Sequence, residues 1–268
     1  LDEWNSGLIE KQLLSYMFRV NYDYNNKYLL TVSGRWDGAS QLAEGNKWAF
    51  FPSAALGWRL DQEEFLKDVT WLNQLKFRLG VGVTGNSAID PYQTKGAIVS
   101  LYYPFGSALA PGYAASEPLI KDGAVAMANK NLSWEKTTQY NIGLDYSVLN
   151  GRISGVLDFY TSRTTDLLMA MTIPSLNGYT NTYANVGKTS NIGVDITLNT
   201  VNVKTRDFEW STSINAAWQK DKIDELANGK EDDINNNWFI GQALGVIYGY
   251  ECGGLWKEED AAEMAKFN

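Results

Sequence analysis

Across 268 residues the chain sets 23 Lys and Arg against 31 Asp and Glu, a formal charge of −8, with no histidine and one cysteine. This excludes a nucleic-acid surface, which needs clustered cations, and, within this chain, Ser-His-Asp and Cys-His chemistry, imidazole metal sites, internal disulfides and multi-cysteine metal centres. There is no signal peptide at Leu1 and no run of about 18 apolar residues that would cross a membrane as a helix.

The dominant signal along the chain is a period of two, which marks strands with one apolar and one polar face. Leu14, Tyr16, Phe18, Val20 and Tyr22 alternate with Ser15, Met17, Arg19, Asn21 and Asp23. After Asn25-Asn26 the pattern resumes through Tyr28, Leu30, Val32, Gly34 and Trp36. Ala54, Leu56, Trp58 and Leu60 mark a third strand, and Leu75, Phe77, Leu79, Val81 and Val83 a fourth. YNIGLDYSVLNGRISGVLDFY, residues 140–160, predicts a long hairpin turning at Asn150-Gly151. Ile192, Val194, Ile196 and Leu198 give a seventh strand, and Phe208, Trp210, Thr212, Ile214, Ala216 and Trp218 an eighth. Each should be about ten residues long, where ordinary strands have five or six. The links at 25–26, 150–151 and 202–207 are short, whereas those at 38–49, 85–137, 172–190 and beyond Asp221 are long. The link 61–74, DQEEFLKDVTWLNQ, is intermediate and should hold a helical turn on the side of the short links.

A soluble sandwich would bury the apolar face against a second sheet; a membrane barrel would turn it to lipid. Three features favour lipid. Strands of about nine to eleven tilted residues cross a bilayer. Aromatics mark the ends of the apolar face: Tyr22, Tyr24 and Tyr28 around one turn, Trp36 at the far end of its strand, and Phe208, Trp210 and Trp218 at the two ends of the eighth. The span between them, roughly 21 Å at a tilt of about 40°, is close to the apolar band of about 25 Å between aromatic girdles. Short and long links alternate, as tight periplasmic turns and large outer loops do. On this reading Arg19, Arg35, Asp37, Arg78, Asp145, Asp158 and Asp195 form a polar wall facing the lumen. A soluble carbohydrate-binding or adhesive β-sandwich, a passive porin and a barrel enzyme stay open as alternatives, the lack of histidine counting against the last.

Longer strings narrow the choice. NKWAFFPSAALGWRL is followed by EEFLKDVTWLNQLKFRLGVGVTGN, then by NLSWEKTTQYNIGLDYSVLNGRISGVLDFYTSRTTDLL and NVGKTSNIGVDITLNT. FEWSTSINAAWQKDKIDEL and GYECGGLWKEEDA come after them in the same order. Together they resemble the barrels of SusC/RagA-like TonB-dependent transporters of Bacteroidetes over most of the chain, the loop at about 88–127 excepted. The resemblance implies an all-β fold, a long antiparallel meander forming part of a large, 22-stranded transmembrane β-barrel with long extracellular loops. The chain would be a fragment of that one barrel domain, the signal peptide, plug domain and C-terminal strands lying outside it. It implies an outer-membrane importer of oligosaccharides or peptides, surrounded by outer-membrane lipid. Its partners would be a SusD-like surface lipoprotein and the TonB complex, the latter reached through the N-terminal part. It implies no enzyme activity, cofactor or metal, and no ligand residue transfers to a position here.

Outer loops offer the remaining candidates. Tyr102, Tyr103, Phe105 and Tyr113 in LYYPFGSALAPGY, with Tyr179 and Tyr183 further on, could stack on sugar rings or meet a partner, or pack the loops on themselves. GKEDDINNNW, with Glu231, Asp232, Asp233 and Asn235, lacks the glycine and closing glutamate of a calcium loop and reads as a solvated acidic segment. Cys252 has no histidine partner and reads as an incidental small residue.

Overall fold

The computed structural model describes residues 8–95, 99–106, 108–114, 127–174, 176, 181–250 and 252. Its strands are β1 (Leu13–Tyr24), β2 (Tyr28–Ala39), β3 (Trp48–Arg59), β4 (Leu72–Asn86), β5 (Val99–Phe105), β6 (Ala108–Ala114), β7 (Glu135–Val148), β8 (Ile153–Thr165), β9 (Leu168–Thr172), β10 (Asn181–Asn185), β11 (Lys188–Lys204) and β12 (Glu209–Glu225). Eight of them form one antiparallel sheet in the order β1-β2-β3-β4-β7-β8-β11-β12. These are the eight strands read from the alternation, and they pair as a meander. The other four make two hairpins, β5-β6 and β9-β10, inside the long links. No helix among the described residues is long and apolar enough to cross a membrane.

The sheet strands run from 12 residues in β1 to 17 in β12, longer than the alternation alone suggested. In β7 and β11 the surplus, Lys136–Gln139 and Thr189–Asn191, is polar on both faces. Alternation arises only where one side meets an apolar medium, so these strand ends carried no period. β3 instead begins six residues earlier than expected, at Trp48, with the apolar run Trp48–Pro52, whose Phe51 turns into the buried cluster and breaks the alternation. The inner links are tight: Asn25 and Asn26 both take φ of 53°, and Lys27 N–H closes the turn on the Tyr24 carbonyl at 3.0 Å. Link 60–71 starts with a single 3₁₀ turn, Leu60–Gln62.

The register measures how the strands are inclined. One row of facing residues on the apolar side runs Tyr24, Tyr28, Trp58, Phe77, Leu144, Leu157, Ile196 and Ala216. It starts at the β1-β2 turn and ends seven residues past Glu209, where β12 begins. With the inner links at one level, the row climbs about 24 Å along the strands while crossing about 34 Å of sheet, a tilt of about 35°. Transmembrane barrels have tilts of about 35–45°. The neighbouring row joins Tyr22, near the inner end of β1, to Trp218, near the outer end of β12. Between them lie only Leu30, Leu56, Leu79, Ile142, Phe159 and Val194.

Among the described residues no second layer covers this face. Tyr16, Phe18, Trp36, Phe50, Ile142, Phe159, Trp210 and Trp218 stay exposed, and the rings stack only on each other, as Tyr16 on Trp48 at 6.0 Å and Tyr28 on Trp58 at 6.4 Å. The buried apolar cluster, Ala39, Leu42, Phe51, Ile89, Leu132 and Trp134, sits instead at the outer end of the sheet.

Candidate functional site

The polar face is a lattice of cross-strand hydrogen bonds: Thr31 to Asn21, Ser33 with Ser53, Thr137 with Thr164, Thr197 to Asn215 and Ser213 to Asn199, all at 2.7–3.0 Å. Its charged centre is built on register. Arg78 of β4 faces Gly143 of β7, which faces Asp158 of β8. Because Gly143 has no side chain, the guanidinium reaches across a whole strand. Its Nε donates to Asp145 at 2.9 Å, and one Nη donates to both Asp158 oxygens at 3.0 and 3.1 Å. A Cβ on Gly143 would stand 2.5 Å from Asp158 Oδ1 and 2.6 Å from Arg78 Nη2. Tyr160 uses the same device one strand further on. Its ring lies over Gly193, and its hydroxyl donates to Gln219 on β12 at 3.4 Å.

The other wall residues divide by environment. Asp195 stands opposite Asp158 in register and is exposed, while the guanidinium of Arg78 is shared between Asp145 and Asp158. Arg19 is exposed on β1. Arg35 pairs with Asp37, whose Oδ2 takes its hydrogen bond while the buried Oδ1 has none. The aromatics expected at the membrane interface, Tyr22, Tyr24, Tyr28, Trp36, Phe208, Trp210 and Trp218, are all 42–58% exposed.

At the outer rim, pairing between β3 and β4 stops at Ser53 and Gly82 although both strands continue. Phe51 packs into this region edge-on to Trp134 at 5.3 Å. Trp134 Nε1 donates to the Lys47 carbonyl and Ala43 N–H to the Leu132 carbonyl, fastening loop 40–47 to the chain entering β7. Asn185 bonds Ser133 in both directions at 2.8 Å, and Asn129 donates to the Tyr183 carbonyl, so the β9-β10 hairpin joins the same platform. Beside it opens a cleft of about 960 Å³ lined by Lys47, Lys95 and Lys130, by Glu10 and Glu44, and by Gln41, whose buried Oε1 accepts no hydrogen bond from the described residues. Such a mixture of charges, amides and hydroxyls suits a polar ligand.

Of the loop candidates, four lie on the β5-β6 hairpin and Tyr183 on β10. Tyr183 is half-buried against the apolar cluster, whereas Phe105 at the end of β5 is 81% exposed. Tyr102 and Tyr103 lie on β5 and Tyr113 on β6; Tyr179 lies outside the described residues. In the acidic segment, Asp232 accepts from Ile240 N–H and Asp233 from Asn236, so both carboxylates brace their own loop.

At the inner rim, link 60–71 is tied to the strand ends by two carboxylates. Glu63 accepts from Trp58 Nε1 at 2.9 Å, from Tyr28 Oη at 3.0 Å and from Lys27 Nζ at 3.0 Å. The Trp58 bond, then Lys27, hold the Glu63 carboxyl below the usual carboxylate range, while Glu63 in turn raises Lys27. Burial would raise Asp61, but its bonds from Arg59, Gln62 and the Leu75 N–H outweigh that and lower it. Neither Glu63 nor Trp134 shows in the sequence pattern, since both lie where periodicity ends. The strings that mark the link and the β7 entrance contain them without revealing their roles.

Residues 4–255 match the family model described as TonB dependent receptor-like, beta-barrel. The chain is 41% identical over 243 residues to TonB-dependent receptor SusC of Bacteroides thetaiotaomicron, covering 87% of this chain and 23% of that protein. It is 34% identical over 264 residues to TonB-dependent receptor P3 of Formosa agariphila, covering 94% and 26%. The chain thus spans about a quarter of the length of these relatives. Among solved structures, the RagAB peptide importer in its open-open state superposes with a TM-score of 0.76 at 29% identity, over 87% of this chain and 24% of that one.

Proposed function

The chain belongs to the TonB-dependent receptor-like β-barrel family, and from that premise we propose that it forms wall and outer loops of an energy-coupled importer of oligosaccharides or peptides. As a member of that family it is an outer-membrane protein. The observation that carries the reading is the two-faced sheet: an exposed apolar face edged with aromatics, backed by a polar face laced with hydrogen bonds around Arg78. Such a sheet has lipid on one side and an aqueous lumen on the other. The rim platform joining loop 40–47, the entrance of β7 and the β9-β10 hairpin gives the mouth a fixed edge. A SusD-like surface lipoprotein would seat on that edge, and the TonB complex would act through the N-terminal part of the whole receptor. Selection would then rest on binding and passage through the lumen.

The test is uptake by cells that carry or lack the full-length receptor, using labelled oligosaccharide and peptide mixtures with and without a protonophore. Receptor-dependent uptake of one class that stops with the protonophore supports the importer. Receptor-dependent uptake that continues in its presence identifies a passive pore and overturns the reading.

A further inference from the structure

On the apolar face β3 presents small Ala54 opposite Val32 of β2 and Val81 of β4, with Leu30 diagonal to it and Tyr140 and Ile142 of β7 on the far side. The shortfall in side chain leaves an apolar groove of about 400 Å³, within the range of ligand-sized pockets, about 300–1,000 Å³. Leu30 and Leu56 at its inner end are each two residues from Tyr28 and Trp58, about 7 Å along the strand. There the surface changes character. Tyr28 and Trp58 turn their polar atoms to Glu63, and Lys27 lies over the Tyr28 ring while donating to the same carboxylate. Glu64 and Lys67 form a second ion pair beside it, with the Glu64 side chain 83% exposed. Phe65 projects from the same link, also exposed.

A slot for a hydrocarbon chain therefore ends in a cluster of both charge signs, at the depth where the aromatic row meets the lipid headgroups. Lys27 gives one of its ammonium donors to Glu63 and has others to offer a phosphate. The Glu64 carboxylate, 83% exposed and bonded to Lys67 through one oxygen, keeps acceptor capacity for a second ammonium. An anionic head without an ammonium would engage the two lysines and leave nothing for the two glutamates.

We propose that the groove from Tyr140 to Leu56 and the Lys27–Glu63–Glu64 cluster together hold one phospholipid of the periplasmic leaflet, with a zwitterionic phosphoethanolamine head. The site rests on the outer-membrane placement and on no assumption about the transported substrate.

The experiment is native mass spectrometry of the full-length receptor, purified in mild detergent, delipidated and titrated with palmitoyl-oleoyl phosphatidylethanolamine or phosphatidylglycerol. One phosphatidylethanolamine per barrel should survive activation that strips the rest, with phosphatidylglycerol retained about tenfold less. Ala54→Phe, which fills the groove with a lipid-compatible side chain, should abolish that retention. Val20→Phe, on the same face of β1, should leave it unchanged, both variants keeping the heat-modifiable mobility of a folded barrel. Equal retention in the two variants, or no preference between the heads, overturns the proposal. So does a cysteine at position 54 that cross-links two barrels in the membrane, since protein would then cover the groove. A receptor that fails to fractionate with the outer membrane removes the premise before any lipid is measured.

Discussion

Adding one methyl group at Gly143 should dismantle the charged centre of the wall. In Gly143→Ala the new Cβ would lie 2.5–2.7 Å from Asp158 Oδ1 and the Arg78 guanidinium. Both are ends of flexible side chains, so the clash itself is cheaply relieved. What is lost is the reach of Arg78 across β7, and with it the forked bond to Asp158. Net contributions of hydrogen bonds to charged groups are about 1.5–3 kcal/mol. The three side chains are 22–30% exposed, so solvent screening argues for the low end, about 2 kcal/mol for the clamp as a whole. If the clamp is absent from the unfolding transition state, the full-length barrel should unfold in hot SDS about thirtyfold faster, as read by its heat-modifiable band. The decisive comparison is made in an Arg78→Ala background. There the clamp is already gone, and Gly to Ala on a strand should be neutral or stabilising by about 0.5–1 kcal/mol. An equal penalty in both backgrounds refutes the bridging account of Gly143.

Gly155→Ala should cost more, about 2–3 kcal/mol by overpacking, because its Cβ would meet the Thr197 carbonyl oxygen, which is backbone and cannot swing away; the same SDS assay reads it. Trp134→Ala should cost the rim about 3–5 kcal/mol, since its indole is 4% exposed, packs on Phe51 and ties down Lys47. Proteases added to intact cells should then cut the outer loops while the heat-modifiable barrel persists. The inner link should respond to pH in a definite direction. Glu63 is depressed by Trp58 and Lys27, so its tether is complete above the ordinary carboxylate pKa, about 4.3, and is lost as pH falls through the lower folded value. Lys27 is raised, so its share is complete below about 10.4 and is lost as pH rises through the higher folded value. Hydrogen exchange of residues 60–71, corrected for intrinsic rates, should therefore show maximal protection between those limits, and Glu63→Gln should remove the acid-side loss.

The period of two placed all eight wall strands and their faces because a strand between lipid and water must alternate. It stopped at Lys136–Gln139 and Thr189–Asn191, which are polar on both faces and so carry no period. Arg78, Asp145 and Asp158 were legible one by one as polar wall residues, but their union was not. It depends on Gly143 lying between them in register, and pairing across 80 residues of chain is not written in local alternation. The outer platform was hidden for a related reason. Leu42, Leu132 and Trp134 come from irregular segments that meet through long-range packing and hydrogen bonds, which carry no local period.

The most direct test of the central claim is thiol labelling along β7 of the full-length receptor in outer membranes, with the exposed Cys252 first replaced by serine. Single cysteines at 139, 141, 142, 144, 145 and 146 should react with a water-soluble maleimide only at 139, 141 and 145. The alternate set should respond to a membrane-dissolved reagent instead. Equal reaction of Leu144→Cys and Asp145→Cys with the water-soluble reagent would contradict the assignment of lipid to one face and lumen to the other.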